Sequence, residues 1–167
     1  ARLHERTRAR VIRQRGGGVE VDTGRARIST QRVVIATGYA TPEFRPLAGR
    51  FRLSDTYVVA TPPLDRAARE AIGLRDVMLW DTERPYHYAR WTHDYRLLFG
   101  GHDQPHERKT TAATIDRRIS ALLAERHDLF PAARSIDPDY AWEGLFATTP
   151  DGLPYIGTHR HYPRHLF

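Results

Sequence analysis

Hydrophobic and polar residues alternate along three short segments near the N-terminus, at residues 9–13, 19–23 and 26–30. Gly16-Gly17-Gly18 separates the first two segments, and Thr23-Gly24 begins the turn before the third. Short connections between alternating segments favour antiparallel neighbours. The pattern therefore predicts a small β-meander.

The next segment, residues 31–38, is a mostly apolar run that ends in Ala36-Thr37-Gly38. Such a run is typical of a strand covered on both faces, as in a parallel sheet. Ligands of open α/β sheets bind at the carboxyl ends of strands. Residues 39–55 contain Pro42, Pro46 and Gly49 and are predicted to form an irregular crossover between two domains.

A second group of strands is predicted at residues 56–61, 77–81, 86–91 and 96–101, with a short helix or turn at 65–72 and a hairpin turn at 92–95. If Tyr86, Tyr88 and Arg90 share a face, they present two phenols and a cation to one side of the sheet. This arrangement suits a wall of a small-ligand site, and an ordinary solvent-exposed sheet face remains the alternative.

One long helix is predicted after Thr110 or Thr111, either of which is a suitable N-cap. Apolar residues then follow helical spacing until Phe130-Pro131 ends the run. The pattern predicts a structural helix whose charged side chains point outward; these are Arg117, Arg118, Glu125 and Arg126.

Residues 140–157 hold the densest concentration of aromatic, Gly and Pro residues, and they predict a strand, a turn and a second extended segment. Pro150-Asp151-Gly152 has the residues that a tight turn requires. The glycines of this stretch also let a flat ligand or another backbone approach closely, although an ordinary hairpin explains them equally well. The whole order predicts an α+β fold: a mixed, mostly antiparallel sheet with a helix on one face, joined to part of a parallel-sheet domain.

Composition limits the classes of protein. The 167 residues are 40% hydrophobic, which suits one domain or parts of two. No apolar run is long enough for a membrane span. The absence of Cys excludes thiolate chemistry in this stretch. We take the cytoplasm as the default location. The chain begins at Ala1 and ends at His165-Leu166-Phe167, which leads us to expect a fragment of a longer product.

The net charge of +6 and the isoelectric point near 10 raise a second hypothesis, a basic, non-catalytic β-rich module that binds nucleic acid or another anionic partner. The basic residues are scattered among 20 acidic ones without a long single-sign block, so we predict no nucleic-acid partner.

His102 and His106 have the i, i+4 separation of helical metal ligands. Pro105 argues against a helix there, and no third ligand is evident. We therefore predict solvated loop histidines and no metal site.

Three motifs resemble one family. They are Arg32–Gly38, Tyr88–Gly101 and Trp142–Gly157, in that family's order and approximate spacing. The chain resembles the FAD-dependent oxidoreductases of the D-amino acid oxidase superfamily, which includes relatives of glycine oxidase, sarcosine oxidase and amine oxidases. The resemblance covers the chain from about Arg10 onward.

The resemblance implies a Rossmann-like FAD-binding domain and a second domain whose sheet covers the substrate. Residues 1–45 and 149–167 would belong to the FAD-binding domain, and residues 46–148 would form the substrate-binding domain. The expected cofactor contacts are Val11, Ala36, Thr37, Gly38, Asp151 and Gly152. The expected substrate contacts are Tyr86, Tyr88, Arg90 and Phe146.

The implied reaction is oxidation of the C–N bond of an amine or amino acid, with FAD as hydride acceptor and the remainder of the protein's own chain completing the cofactor site. The resemblance assigns no side chain of this stretch as a general base, and a flavin-fold protein without activity is a third possibility. Phe146 occupies the position where glycine oxidase-like members carry an Arg that clamps the substrate carboxylate. Because Phe cannot make those charge-assisted bonds, we expect a larger or less anionic amine, or a clamp from another residue such as Arg90.

Overall fold

The computed structural model describes residues 2–107 and 110–167; Ala1, Arg108 and Lys109 lie outside the description. The described strands are β1 (Val11–Arg15), β2 (Gly18–Asp22), β3 (Arg27–Thr30), β4 (Val33–Val34), β5 (Arg52–Ala60), β6 (Leu79–Trp80), β7 (Tyr88–Trp91), β8 (Leu97–Pro105), β9 (Tyr140–Thr148), β10 (Thr158–His159) and β11 (Tyr162–Leu166). The α-helices are α1 (Arg45–Ala48), α2 (Arg66–Ile72) and α3 (Ala112–Leu129), and a 3₁₀ turn spans Pro131–Ala133. The predicted class, mixed and mostly antiparallel with few helices, is confirmed.

The chain divides into two compact units. The first contains the residues up to Phe51 together with Thr148–Phe167, and the second is Arg52–Ala147. Within the first unit, β1, β2 and β3 form the predicted antiparallel meander, in which Val19 pairs with both Gln14 and Thr30. A second small sheet has the order β10-β11-β4, with β11 parallel to β4.

The prediction of a fully covered strand at residues 31–38 is wrong. Only Val33 and Val34 form strand β4, and Val34 remains 68% exposed. Among the described residues β11 alone pairs with β4, so one edge of this short strand has no ladder partner. The return strand after the Asp151 turn also begins later than predicted, at Thr158, because residues 153–156, which include Pro154 with no N–H to donate, join no ladder.

The second unit is built on a five-stranded sheet with the order β6-β7-β8-β5-β9. Helix α3 begins where Thr111 Oγ1 accepts a hydrogen bond from Thr114 N at 3.2 Å, as the N-cap prediction required. Its apolar residues pack on the sheet, with Leu122 in a core that contains Tyr57, Val59 and Phe99. The predicted crossover at 39–55 is partly wrong, since it contains α1 and the first residues of β5.

The prediction that Arg126 points outward is also wrong, because this side chain is only 1% exposed. Arg126 lies four residues after Leu122, so it shares the buried face of the helix. Its Nη2 donates to the carbonyl oxygens of Ala133 at 3.1 Å and Ile136 at 2.6 Å, which ties the segment after α3 to the helix. Burial lowers the pKa of this guanidinium.

Candidate functional site

The five-stranded sheet has two unlike faces. Residues that alternate along its central strands, among them Tyr57, Val59, Ala89, Leu97 and Phe99, pack towards helix α3. Because successive side chains of a strand point to opposite sides, the intervening residues face away from the helix. We call this side the outer face; it carries Thr56, Val58, Ala60, Tyr88, Arg90, Leu98 and Gly100.

Tyr88 on the outer face contacts residues of two other strands. Its ring lies over Gly100 on the neighbouring strand, where an added Cβ would come within 2.3 Å of the ring. Its hydroxyl lies 3.4 Å from Thr56 Oγ1 on β5. Burial raises the pKa of the Tyr88 phenol, and the charge of Asp103 raises it further. The phenol is therefore neutral near pH 7, and its hydroxyl can both donate and accept a hydrogen bond.

Tyr86 and Arg90 flank Tyr88 along the chain. The rings of Tyr86 and Tyr88 lie 6.3 Å apart at a tilt of 52°, and Tyr86 is 38% exposed. Arg90 is exposed on β7, two residues after Tyr88, and pairs with Leu98. The structure thus places the two phenols together and puts Arg90 on the same face by alternation.

Phe146 lies on β9, at the far edge of the sheet from β7. A Cβ at Gly144 would lie 3.8 Å from Thr56 Cγ2, so Gly144 faces the same side as Thr56. Phe146, two residues further along the strand, shares that side and is 46% exposed. Since β8 and β5 lie between β7 and β9, the separation of these strands is about 14 Å at ordinary strand spacing. Phe146 therefore shares the outer face with Tyr88 without contacting it.

The six predicted cofactor residues all lie in the first unit, and the four predicted substrate residues all lie in the second. Val11 opens β1, and Ala36, Thr37 and Gly38 are exposed just after β4. Gly38 has a positive φ of 80° and open space where a Cβ would be. Asp151 Oδ1 accepts from Leu153 N at 3.2 Å in a turn that also contains Gly152 at φ 72°. Small, exposed residues with accessible backbone fit close approach by a dinucleotide.

His87, which sequence patterns did not single out, connects the two tyrosines to the helix side of the sheet. Its Nδ1 lies 2.5 Å from Asp81 Oδ2, and its Nε2 lies 3.1 Å from Glu125 Oε2. Burial opposes protonation, but the hydrogen bonds to both carboxylates outweigh burial and raise the pKa of His87. Both ring nitrogens face carboxylates, and a carboxylate accepts hydrogen bonds when it is ionised, so these contacts favour the protonated form of His87.

The prediction of solvated loop histidines is wrong for His102, which is partly buried on strand β8, whereas His106 is exposed just past the end of that strand, as predicted. His102 Nδ1 lies 3.2 Å from Glu125 Oε1, and His106 Nδ1 lies 2.8 Å from Asp55 Oδ1. Both residues follow the Gly100-Gly101 pair on strand β8 or just past its end, which brings them beside carboxylates of β5 and α3. Within residues 2–107 and 110–167, no group of three or more potential His, Cys, Asp or Glu ligands is arranged to hold a metal ion.

A cleft of about 800 Å³ lies elsewhere in the second unit, between helix α2 and the β7–β8 hairpin. Arg69 stacks over the Tyr95 ring there at 3.9 Å. The cleft contains none of the predicted substrate residues.

Comparisons with known proteins point to one family. The family model described as FAD dependent oxidoreductase (DAO) matches residues 1–167. A D-amino acid dehydrogenase of Rhodopseudomonas palustris is 30% identical over 169 residues, covering 96% of this chain and 36% of the relative. A probable oxidoreductase OrdL of Haemophilus influenzae is 25% identical over 150 residues, covering 86% of this chain and 32% of the relative.

Solved structures show the same fold. Glycine oxidase from Geobacillus kaustophilus superposes with a TM-score of 0.64 at 21% identity, covering 93% of this chain and 40% of that one. L-proline dehydrogenase from P. horikoshii gives a TM-score of 0.63 at 20% identity, covering 95% of this chain and 42% of that one.

The chain belongs to the DAO family of FAD-dependent oxidoreductases. The resemblance drawn from the three motifs is thereby confirmed, as is FAD as the cofactor of the family. The chain spans about a third of the length of the curated relatives it matches. No helix among the described residues is long and apolar enough to cross a membrane.

Proposed function

We propose that the full-length protein oxidises the C–N bond of an amine or amino acid to an imine. When bound, FAD supplies the acceptor for the hydride that leaves the carbon next to the nitrogen. Water then hydrolyses the imine to a carbonyl compound and ammonia or a smaller amine. Family membership supports the oxidoreductase class, and relatives named as an amino acid dehydrogenase and a glycine oxidase support nitrogen-bearing substrates.

The observation that carries this proposal is the placement of Tyr88. Its ring is seated on Gly100, and its neutral hydroxyl lies beside Thr56 on a face that also presents Phe146. A face that combines aromatic surface with a few fixed polar groups is typical of a small-molecule site. We assign substrate binding to Tyr86, Tyr88, Arg90 and Phe146, and no catalytic side chain to this stretch.

The cofactor would be held in part by the backbone around Val11, by Ala36, Thr37 and Gly38, and by the turn at Asp151 and Gly152. Residues 1–45 and 149–167 are proposed as FAD-binding and residues 46–148 as substrate-binding. The rest of the protein's own chain would complete the FAD site. The proposed location is the cytoplasm, with neither a nucleic-acid partner nor a metal ion.

Product analysis tests this proposal. The full-length protein would be incubated with matched primary amines, secondary amines and amino acids under air, and with an artificial electron acceptor. We expect one class to yield a carbonyl product together with ammonia or the smaller amine in equal amounts. Formation of neither product with any class, from protein that contains FAD, would contradict C–N oxidation.

A further inference from the structure

A β-bulge turns Asp103 towards the outer face. On β5, Tyr57 and Asp55 are two residues apart, whereas their partners on β8, Gly101 and Gln104, are three apart. The extra residue of the bulge lies on β8 between Gly101 and Gln104. His102, in this interval, has a φ of 58°, which lies in the left-handed region. Bulges of this kind redirect the side chains that follow them.

The neighbours of the bulge settle which way each side chain points. A Cβ at Gly101 would meet His87, and His102 Nδ1 lies beside Glu125 of helix α3, so both residues face the helix side. Asp103 comes next and faces the other way, on the side of Tyr88. Its charge is among the causes of the raised pKa of Tyr88, which agrees with this placement.

One carboxylate oxygen of Asp103 has no hydrogen-bond partner. Its Oδ1 is buried, and no donor among residues 2–107 and 110–167 reaches it. A buried, unpaired carboxylate oxygen is unfavourable because it has lost water without gaining a donor. The donor that best offsets this loss is a cation with N–H groups, since a charged hydrogen bond to a carboxylate is the strongest kind available.

The distance from Asp103 to Arg90 restricts the class of cationic ligand that fits the outer face. Arg90 pairs with Leu98, five residues before Asp103 on β8, which places the two side chains roughly 15 Å apart along the strand. The ammonium and carboxylate groups of an α-amino acid are too close together for one to reach Asp103 while the other reaches Arg90. Phe146 offers no charge for a carboxylate either. The outer face therefore suits a cationic amine better than an α-amino acid.

We propose that Asp103, assisted by the hydroxyls of Tyr88 and Thr56, forms a subsite that binds the ammonium group of a primary or secondary amine. The inference that this amine is the substrate rests on the proposed function. Asp103 determines specificity by binding the ammonium form, which must release one proton to solvent before hydride can leave the neighbouring carbon; Asp103 takes no part in the hydride transfer itself.

The test is a binding measurement that requires no turnover. The full-length, FAD-containing protein would be titrated with n-butylammonium chloride by isothermal calorimetry, and separately with sodium butyrate. We expect the wild-type protein to bind butylammonium and not butyrate, and Asp103→Asn to weaken butylammonium binding by about tenfold to a hundredfold, as expected for loss of one charged hydrogen bond.

Matched variants separate this subsite from general charge effects and from misfolding. Asp116→Asn removes the same charge from an exposed position on helix α3 and should leave butylammonium binding unchanged. If Asp103→Asn does not fold, as judged by its melting curve, Asp103→Ser is used, with the same expected loss. Equal binding by the wild-type and Asp103 variants, or no binding by the wild-type protein, overturns the inference. Failure of the proposed function is seen separately, as absence of substrate oxidation by protein that still binds butylammonium.

Discussion

His87 Nε2 and Glu125 Oε2 lie 3.1 Å apart, which joins the residue between Tyr86 and Tyr88 to helix α3. The other ring nitrogen, Nδ1, lies beside Asp81 Oδ2. Asp81 Oδ1 also accepts a hydrogen bond from the His87 backbone N at 2.9 Å. The two tyrosines of the outer face are therefore fixed from the opposite side of the sheet. Their placement depends on His87, which faces the helix side of the sheet.

Stability should depend on pH through this arrangement. The raised pKa of His87 means that its contribution is complete below the ordinary value of 6.5 and is lost as pH rises through the raised value. Asp81 behaves oppositely: burial raises its pKa, but hydrogen bonds from His87 outweigh burial and lower it. Its contribution is present above the ordinary value of 3.8 and is lost as pH falls through the lowered value.

We accordingly expect His87→Gln to destabilise the full-length protein by about 1–3 kcal/mol near pH 5, between these two ordinary values. The difference from wild type should shrink as pH rises above neutrality. Urea unfolding across a pH series measures it, with exposed His4→Gln as the control. A destabilisation that does not vary with pH would rule out the imidazolium form of His87.

Gly100→Ala should displace Tyr88, because the added Cβ would come within 2.3 Å of its ring. We expect a loss of about 1–3 kcal/mol in unfolding free energy, typical of overpacking, and weaker substrate binding. Gly17→Ala is the matched control, since nothing lies within 4 Å of its Cβ position. Tm and KM measured on both variants provide the check. A Gly100→Ala protein with wild-type Tm and KM would show that the position of Tyr88 is not fixed by this contact.

Arg126→Ala should destabilise the protein by about 2–5 kcal/mol, through the cavity it leaves and the loss of the donor shared by the Ala133 and Ile136 carbonyls. Arg117 is exposed on the same helix, so Arg117→Ala should change the unfolding free energy by less than about 0.5 kcal/mol. Denaturant unfolding distinguishes the two. Equal, small effects would place Arg126 at the surface, as the sequence pattern had suggested.

Phe146→Arg should shift substrate preference towards amino acids. A guanidinium on the outer face can bind a carboxylate through two charge-assisted hydrogen bonds, which Phe cannot do. We expect the ratio of kcat/KM for alanine to that for ethylamine, its analogue without the carboxylate, to rise by about tenfold or more. Leu145→Arg places the same charge on the opposite face of β9 and is the control. A ratio that rises equally in both variants would indicate a nonspecific effect of added charge.

Sequence patterns predicted those elements whose cause is local. The alternation of β1–β3, the Thr111 cap of α3 and the turn at residues 92–95 all follow from neighbouring residues, and all three are present. Arg126 is buried although it is charged, because its spacing from Leu122 places it on the face of α3 that packs on the sheet, and charge alone predicts the opposite. The length of β4 was mispredicted because an apolar run does not reveal how many strands pair with it.

The candidate site was predictable only in part. Tyr86, Tyr88 and Arg90 were recognised because they are close in sequence. Asp103 and His87 were missed because their roles depend on contacts between distant segments: the bulge on β8 and the approach of Glu125, 38 residues after His87. The Gly100-Gly101 pair within a predicted strand was the available signal of a bulge. The roles of the predicted cofactor and substrate residues stay predictions.

The most direct measurement is an anaerobic titration of the full-length protein followed by visible absorption. The protein as purified should show a flavin band, and a primary or secondary amine should bleach that band in proportion to the amount added, with an imine-derived carbonyl product. Retention of the flavin band in the presence of every amine and amino acid tested, or a purified protein that neither contains nor binds FAD, would contradict flavin-dependent C–N oxidation.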